Sequence, residues 1–404
     1  MATANGVLLI GSRVAKFVRR HWTLMNATAL VASLMTPAVG VAADPAGTFE
    51  SALNREIVTA LERHPATRVV VDIRLDGDDP IFMKYGPQES RTSLNQQSIF
   101  QIGSITKVFT GVLLASAVER GECALSEPAN NFLPAKLQLP GRGTFPITFQ
   151  ELATHTSGLP RLPPDFTFSS ALRLIPVDDP YSTLTEDSLK RGISLCSLKK
   201  LESAPFSYSN LGMGLLGHAL SHHAGMSYEA LLQRDITSVL GMPDTVITLS
   251  EEQKSRFVTG RNSVGKETRP WKFAMLEGAG ALYSTSDDLH RFLLAQQLDP
   301  TTPVLKAMAT ARQRHAKSNG TDEVGLGWMI SNAHMHPSWW HNGATFGHTS
   351  FFSFSQEPKF AVVILCGEGF NPLTSKPLAD EIALKIIPLV RSRATSHSES
   401  PPMK

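Results

Sequence analysis

The sequence predicts an α+β fold: an antiparallel sheet flanked by N- and C-terminal helices, with a mostly helical lobe inserted between the two halves of the sheet lobe. Three observations carry this. Strand-like text is confined to the front (TRVVVDIRLDGDDPIFMKYG) and the back (VGLGWMIS, SWWHNGATFGHTSFFSFS, KFAVVILCG) of the chain. Between them, Pro-rich loops such as LPGRGTFP and GLPRLPPDF alternate with helical patterns such as MGLLGHALSHHAG and SYEALLQRDI. Finally, the strand-rich parts have the short connections that suit antiparallel pairing, not the long crossovers of parallel βαβ units.

Each element follows from its own text. Residues 44–64 have helical periodicity, with Asp44 near the start and Pro65 after the end. The next stretch reads as two strands joined by a Gly-Asp turn. FQIGSITKVFTGVLLASAVERG then passes from a glycine-bearing turn into an apolar helix. The final helix is PLADEIALKIIPLV, followed by a polar tail expected to be disordered. The expected organisation is therefore a signal peptide over 1–43, one domain over 44–390 and a tail over 391–404. Within the domain, the sheet lobe takes about 44–121 and 291–390, and the helical lobe about 122–290.

The signal peptide is argued from charge and hydropathy. RVAKFVRR precedes a mostly apolar run ending in Val41-Ala42-Ala43, small residues suited to cleavage after Ala43. Asn26, Thr36 and Pro37 interrupt that run and weaken it as a membrane span. An exported protein, periplasmic or secreted, is the expectation, and the export route stays open. The whole chain has 38 basic and 36 acidic residues. The first 43 hold four of the basic ones (Arg13, Lys16, Arg19, Arg20) and no acid, so the remainder is 34 against 36. That balance gives no electrostatic case for nucleic acid or an anionic membrane as partner. Cys123, Cys196 and Cys366 are far apart and odd in number, so no disulfide framework is expected and burial is their default.

Chemistry gathers at three places. Ser104 and Lys107 share a helix face at i and i+3, within reach of one another. A serine at a helix start sits where backbone N–H groups favour negative charge, and a buried lysine loses basicity and can take the serine proton. Gly103 would let a substrate approach the backbone. The pattern alone is weak, because Ser197-Leu198-Lys199-Lys200 matches it without the glycine or the apolar helix. Tyr208-Ser209-Asn210 adds a phenol able to share the lysine's proton and an amide able to hold a lysine and a substrate carbonyl. His341-Asn342-Gly343-Ala344 lies in a strand-like run. There Gly343 would let a substrate lie along the edge, and the Ala344 N–H could donate to an oxyanion. His223-Ala224-Gly225 has the same form in a helical setting.

With these motifs in order, the chain resembles the serine β-lactamase and penicillin-binding DD-peptidase superfamily, on its class C side. ITFQELATHTSGLP, GAGALYSTSDDLHRF and VGLGW support the likeness, which runs from about residue 50 to about 390. The resemblance implies an acyl-enzyme on Ser104, with Lys107 and Tyr208 sharing proton removal. Asn210, His341, Asn342, Gly343 and Ala344 would bind substrate, and the N–H groups of Ser104 and Ala344 would form the oxyanion hole. No cofactor or metal is needed. The implied partner is a small molecule or peptide with an acyl carbonyl: a β-lactam, a D-Ala-D-Ala peptide or a small ester. A monomer without a membrane span after signal removal is expected.

His341 departs from the Lys-Thr-Gly usual in class C enzymes and resembles certain DD-carboxypeptidases and family esterases. It supplies no fixed charge unless its surroundings raise its pKa. Asn342 replaces a hydroxyl that would contact a substrate carboxylate, and Phe346 narrows the site where the class C pattern has glycine. His155, within THTSGLP, reads as structural support near the site. Glu151 reads as a helix-surface residue, not a deacylating carboxylate. His218 and His222 have zinc-helix spacing, but Ala219 stands where the general-base Glu belongs.

Overall fold

The computed structural model describes residues 48–164, 179, 181–262, 265–333, 336–370 and 376–398. The expected signal segment and the last residues of the expected tail lie outside the described residues. The strands are β1 (Val69–Leu75), β2 (Ile81–Tyr85), β3 (Phe100–Gln101), β4 (Tyr283–Ser284), β5 (Ala316–Lys317), β6 (Glu323–Val324), β7 (Met329–Ser331), β8 (Ser338–Ala344), β9 (Thr349–Gln356) and β10 (Lys359–Cys366). The helices that bear on the site are α1 (Phe49–Leu61), α2 (Thr106–Glu119), α3 (Asn210–Ala224), α4 (Ser286–Ala295), α5 (Pro303–Ala311) and α6 (Leu378–Ser398).

Eight strands form one antiparallel sheet in the order β2-β1-β10-β9-β8-β7-β6-β5, and β3 and β4 form a separate pair. Front and back of the chain therefore meet inside the sheet, where Val69 of β1 is registered with Cys366 of β10. The strand-like run 338–355 is a hairpin, with β8 and β9 joined through Thr345–His348. Alternation sorts the side chains: Ile73, Val362 and Ile364 pack beneath α1 and α6, while Phe352, Phe354 and Val363 face the core that holds α2 and α4.

Helix α2 is apolar all round because it is buried all round; every residue from Thr106 to Ala117 is buried. Helix α3 begins at an N-cap serine, Ser209, whose hydroxyl accepts the Gly212 N–H, and ends at Gly225 in the left-handed conformation. All three cysteines are buried, as their default reading had it.

The expected disorder from residue 391 is corrected. Helix α6 continues to Ser398, because its polar text still makes contacts. Val390 and Ala394 are buried, Arg391 lies 5.3 Å over the Phe360 ring, and Arg393 pairs with Asp78 at 3.1 Å. Glu151 is also corrected from a surface residue. It is buried, completes a capping box with Thr148, and pairs at 2.6 Å with buried Arg142.

Candidate active site

The site is assembled from two helix starts and one strand end. Gly103, at φ +50°, turns the chain after Ile102 into a 3₁₀ turn, Gly103–Ile105, that runs into α2. Ser104 rides on this turn and is partly exposed, whereas Lys107, one helical turn on, is wholly buried. The Lys107 Nζ lies 2.9 Å from Ser104 Oγ and donates to the Ala279 carbonyl oxygen at 2.5 Å. Burial, with help from the Arg161 charge, holds the Lys107 pKa well below its ordinary value.

Tyr208 immediately precedes the N-cap of α3 and projects over this pair. Its ring centroid is 4.9 Å from Lys107 Nζ. Burial pushes the phenol pKa up to about 12, with Arg161 and the nearby Ser104 hydroxyl pulling the other way. His155 supports the ring at 4.4 Å between centroids and accepts the Ser209 N–H on Nδ1 at 3.1 Å. Burial, with the charge of Lys107, keeps that imidazole neutral by driving its pKa well down. His155 is thus the structural support its motif suggested, held at φ 61°, where few non-glycine residues sit.

Strand β8 closes the third side. The Thr345 N–H donates to the His348 carbonyl at 2.8 Å, so the alternation of the ladder turns the Ala344 N–H away from β9. Strand β7 pairs only with Ser338–Trp340, leaving the upper edge of β8 beside the Ser104 turn. A Cβ on Gly103 would stand 2.8 Å from the Ala344 nitrogen, and one on Gly343 would overlap the Ile102 carbonyl oxygen. Both glycines are therefore explained by backbone packed on backbone, not by room for a substrate as their motifs suggested. This seam sets Ala344 against the Ser104 turn.

Of the residues singled out from sequence, Ser104, Lys107, Tyr208, His341 and Ala344 come together. His341 is buried at a ring distance of 6.3 Å from Tyr208. Its Nδ1–H donates to its neighbour's carbonyl, Asn342 O, at 2.6 Å, and burial brings its pKa down to about 3, so it is neutral. Asn342 does not join the group. It points to the opposite face of β8, where its amide donates to Asp380 Oδ2 at 2.8 Å. Asn210 is buried nearby, but its amide nitrogen donates to the Tyr181 hydroxyl at 2.8 Å and not toward Ser104.

Sequence reading missed Tyr181, Arg161 and the Ala279 carbonyl. Tyr181 stands alone in a loop, stacked on Phe273 at 4.4 Å, and no motif marks it. Arg161 directly follows THTSGLP, a signal that adjacency could have supplied; its guanidinium lies 5.0 Å over the Tyr208 ring. A backbone carbonyl has no side-chain signature. Among the described residues, no group of three or more His, Cys, Asp or Glu side chains could hold a metal ion, and no helix is long and apolar enough to cross a membrane.

A serine beside a buried amine, under a phenol and against a strand-edge N–H, is the apparatus of a serine acyl-transfer enzyme. The sequence profile of the Beta-lactamase family matches residues 29–384, and the chain belongs to that family as a serine hydrolase. Among its relatives is the D-alanyl-D-alanine-carboxypeptidase/endopeptidase AmpH of Escherichia coli strain K12, 28% identical over 63% of this chain and 67% of the relative. A β-lactamase of Pseudomonas fluorescens is 29% identical over 62% of this chain and 65% of its own length. The fold is shared with a β-lactamase/D-alanine carboxypeptidase from Pseudomonas syringae (TM-score 0.68, 18% identity, 87% of this chain and 99% of that one). It is shared equally with a class C β-lactamase from Rhodobacter sphaeroides (TM-score 0.69, 19% identity, 85% and 99%).

Proposed function

We propose that this enzyme is exported and cleaves a β-lactam or a D-Ala-D-Ala-type peptide through an acyl-enzyme on Ser104. The observation that carries the reading is the Lys107 amine, wholly buried and 2.9 Å from a partly exposed Ser104 hydroxyl. Burial holds the Lys107 pKa well below the ordinary lysine value, which suits the amine to act as a base. Lys107 donates to Ala279 O and accepts the Ser104 proton as the oxygen attacks. Tyr208, with its pKa raised to about 12, keeps its proton at neutral pH and is suited to pass one to the leaving group. The N–H groups of Ser104 and Ala344 stabilise the oxyanion, a contribution of about 10²–10³ in rate for each such donor. Water then attacks the ester, giving its proton to the Tyr208 oxygen, while Lys107 returns the proton it took to Ser104 Oγ.

The relatives carry the substrate class: one is named a carboxypeptidase and another a β-lactamase. A second reading, a family carboxylesterase or a slowly deacylating penicillin-binding protein, is favoured by one observation. His341, with its pKa near 3, offers no charge where Lys-Thr-Gly enzymes offer an ammonium.

Intact-protein mass spectrometry after incubation with a penicillin tests the mechanism. A transient adduct that disappears in Ser104→Ala supports the hydrolase, and a long-lived adduct supports the slow form. No adduct with any β-lactam or activated ester, together with unchanged activity in Ser104→Ala, would refute both. Rates on a chromogenic cephalosporin, a D-Ala-D-Ala peptide and a p-nitrophenyl ester then rank the substrates.

A further inference from the structure

The small ladder of β3 and β4 ends in a handover from backbone to side chain. Phe100 and Gln101 are registered with Ser284 and Tyr283, and the Ile102 N–H still donates to the Leu282 carbonyl at 3.0 Å. At Gly103 the chain then leaves the ladder for the turn that carries Ser104. The Thr106 side chain takes over where the strand stops. Its hydroxyl accepts the Leu282 N–H at 3.2 Å and donates to the Gly103 carbonyl at 2.7 Å. Thr106 is fully buried, so the Leu282 N–H depends on this hydroxyl and not on water.

That hydroxyl joins the turn bearing the nucleophile to the segment that holds its base. Ala279, whose carbonyl accepts from Lys107 Nζ at 2.5 Å, lies three residues before Leu282. One turn further along α2, the Thr110 hydroxyl shares a 2.7 Å bond with the Tyr228 hydroxyl and donates to the Gly278 carbonyl at 2.8 Å. Thr106 and Thr110 stand at i and i+4 on one helix face, and they pin the 278–282 segment on both sides of the carbonyl that Lys107 uses.

We propose that Thr106 is a positioning residue for acylation: its hydroxyl fixes the Ala279 carbonyl relative to Ser104 and so aims the Lys107 amine at the serine hydroxyl. The inference rests on the reading of Ser104 as nucleophile and Lys107 as base. In its unprotonated form the amine has one lone pair, and giving an N–H to a fixed carbonyl restricts where that pair can point. Ser104 Oγ lies 2.9 Å away on the other side, so a small displacement of Ala279 turns the base off its target. Ser350 supplies a contrast, because its hydroxyl holds the same turn from β9, donating to the Ile102 carbonyl at 2.8 Å.

The test follows the acylation burst with a chromogenic cephalosporin and with p-nitrophenyl acetate across pH. Thr106→Val keeps the shape and removes the hydroxyl. It should slow the limiting acylation rate by about 10–10²-fold, leave the half-saturating concentration unchanged and displace the acid limb of the pH–rate profile. Tyr208, His155, His341 and Arg161, the titratable and charged groups about Lys107, stay in place, so a moved limb reports the contact of Lys107 with Ala279. Thr106→Ser should restore both rate and limb, and Ser350→Ala should lower the rate with the limb in its native place. A native rate and limb in Thr106→Val would overturn the inference. So would a slowed Thr106→Val whose limb stays native, as in Ser350→Ala, since the hydroxyl would then serve the fold alone. Where Thr106→Val does not fold, Thr106→Cys puts a weakly hydrogen-bonding thiol in the same place. The limb should move in Thr106→Cys and not in Thr106→Ser, and the same limb in both would overturn the inference. No burst from the native enzyme with either compound would instead sink the reading of Ser104, and this inference with it.

Discussion

Asn342 and Asp380 are joined by a 2.8 Å hydrogen bond that ties strand β8 to the first turn of helix α6. The strand whose other face holds His341 beside Tyr208 is thus fastened from behind by the C-terminal helix. Asp380 is buried, its pKa is raised to about 7 by that burial, and its second oxygen has no partner among the described residues.

This bond predicts a pH dependence of stability. The folded-state pKa of Asp380 lies above its unfolded value of 3.8, so between about pH 4 and pH 7 the folded protein holds a proton that the unfolded chain has released. Stability contributed by this group is therefore present at low pH and lost as pH rises toward 7. Asp380→Asn preserves an acceptor for Asn342 and removes the titration. Melting temperatures measured from pH 4.5 to pH 7.5 should fall more steeply in the native protein than in the variant. Parallel curves would refute the assignment.

The Lys107 amine predicts the acid limb of the pH–rate profile. Acylation should rise as Lys107 loses its proton, at a pH well below the ordinary lysine value of 10.5. Lys107→Met should lose about 10²–10⁴-fold in acylation rate and with it that limb. A retained limb in the variant would move the base assignment to another group.

The seam between Gly343 and Ile102 predicts a steric effect. Gly343→Ala places a methyl on the Ile102 carbonyl and the Ser350 hydroxyl. Because that carbonyl belongs to backbone and cannot swing away, the expected cost is about 1–3 kcal/mol of stability. Calorimetry should show a lowered melting temperature, and the acylation rate should fall as the Ser104 turn parts from Ala344.

Glu151 predicts a loss of stability without a defect in deacylation. Arg142 Nη2 donates to Glu151 Oε1 at 2.6 Å, and the guanidinium also donates to the carbonyls of Ser157, Leu201 and Glu202. Glu151→Ala leaves that charge buried and uncompensated, at a cost of about 3–5 kcal/mol. Below the melting temperature, the lifetime of the acyl-enzyme should change by no more than about twofold. A greatly lengthened lifetime would make Glu151 a participant in hydrolysis.

Much of this was legible because the relevant signals are local. Ser104 and Lys107 lie one helical turn apart, and the apolar run of α2 announces a buried helix, so their meeting follows from geometry within a single element. The strands were readable for the same reason. What failed was everything that depends on the far side of an element. Asn342 was read as a substrate contact from its place in the His-Asn-Gly motif, yet strand alternation sends it to Asp380. Gly103 and Gly343 were read as openings for a ligand, when each accommodates the other's neighbouring backbone. The charged residues of 391–398 looked like a solvated tail because their partners, Asp78 and the His336 carbonyl, lie far away in sequence. Tyr181 and the Ala279 carbonyl carry no pattern at all.

The pairing of β1 with β10 has a consequence for how the chain matures. Val69 needs Cys366, and Leu75 needs Phe360, so the middle of the sheet waits for the last strand to be made. Until then β1 has β2 alone beside it, and a lone hairpin is marginal in water. Contacts of such long sequence separation form slowly, and a growing chain leaves them unmade. The strand seam that positions Ala344 is thus among the last parts to exist, which keeps the nascent chain without a working site for nearly the whole of its synthesis.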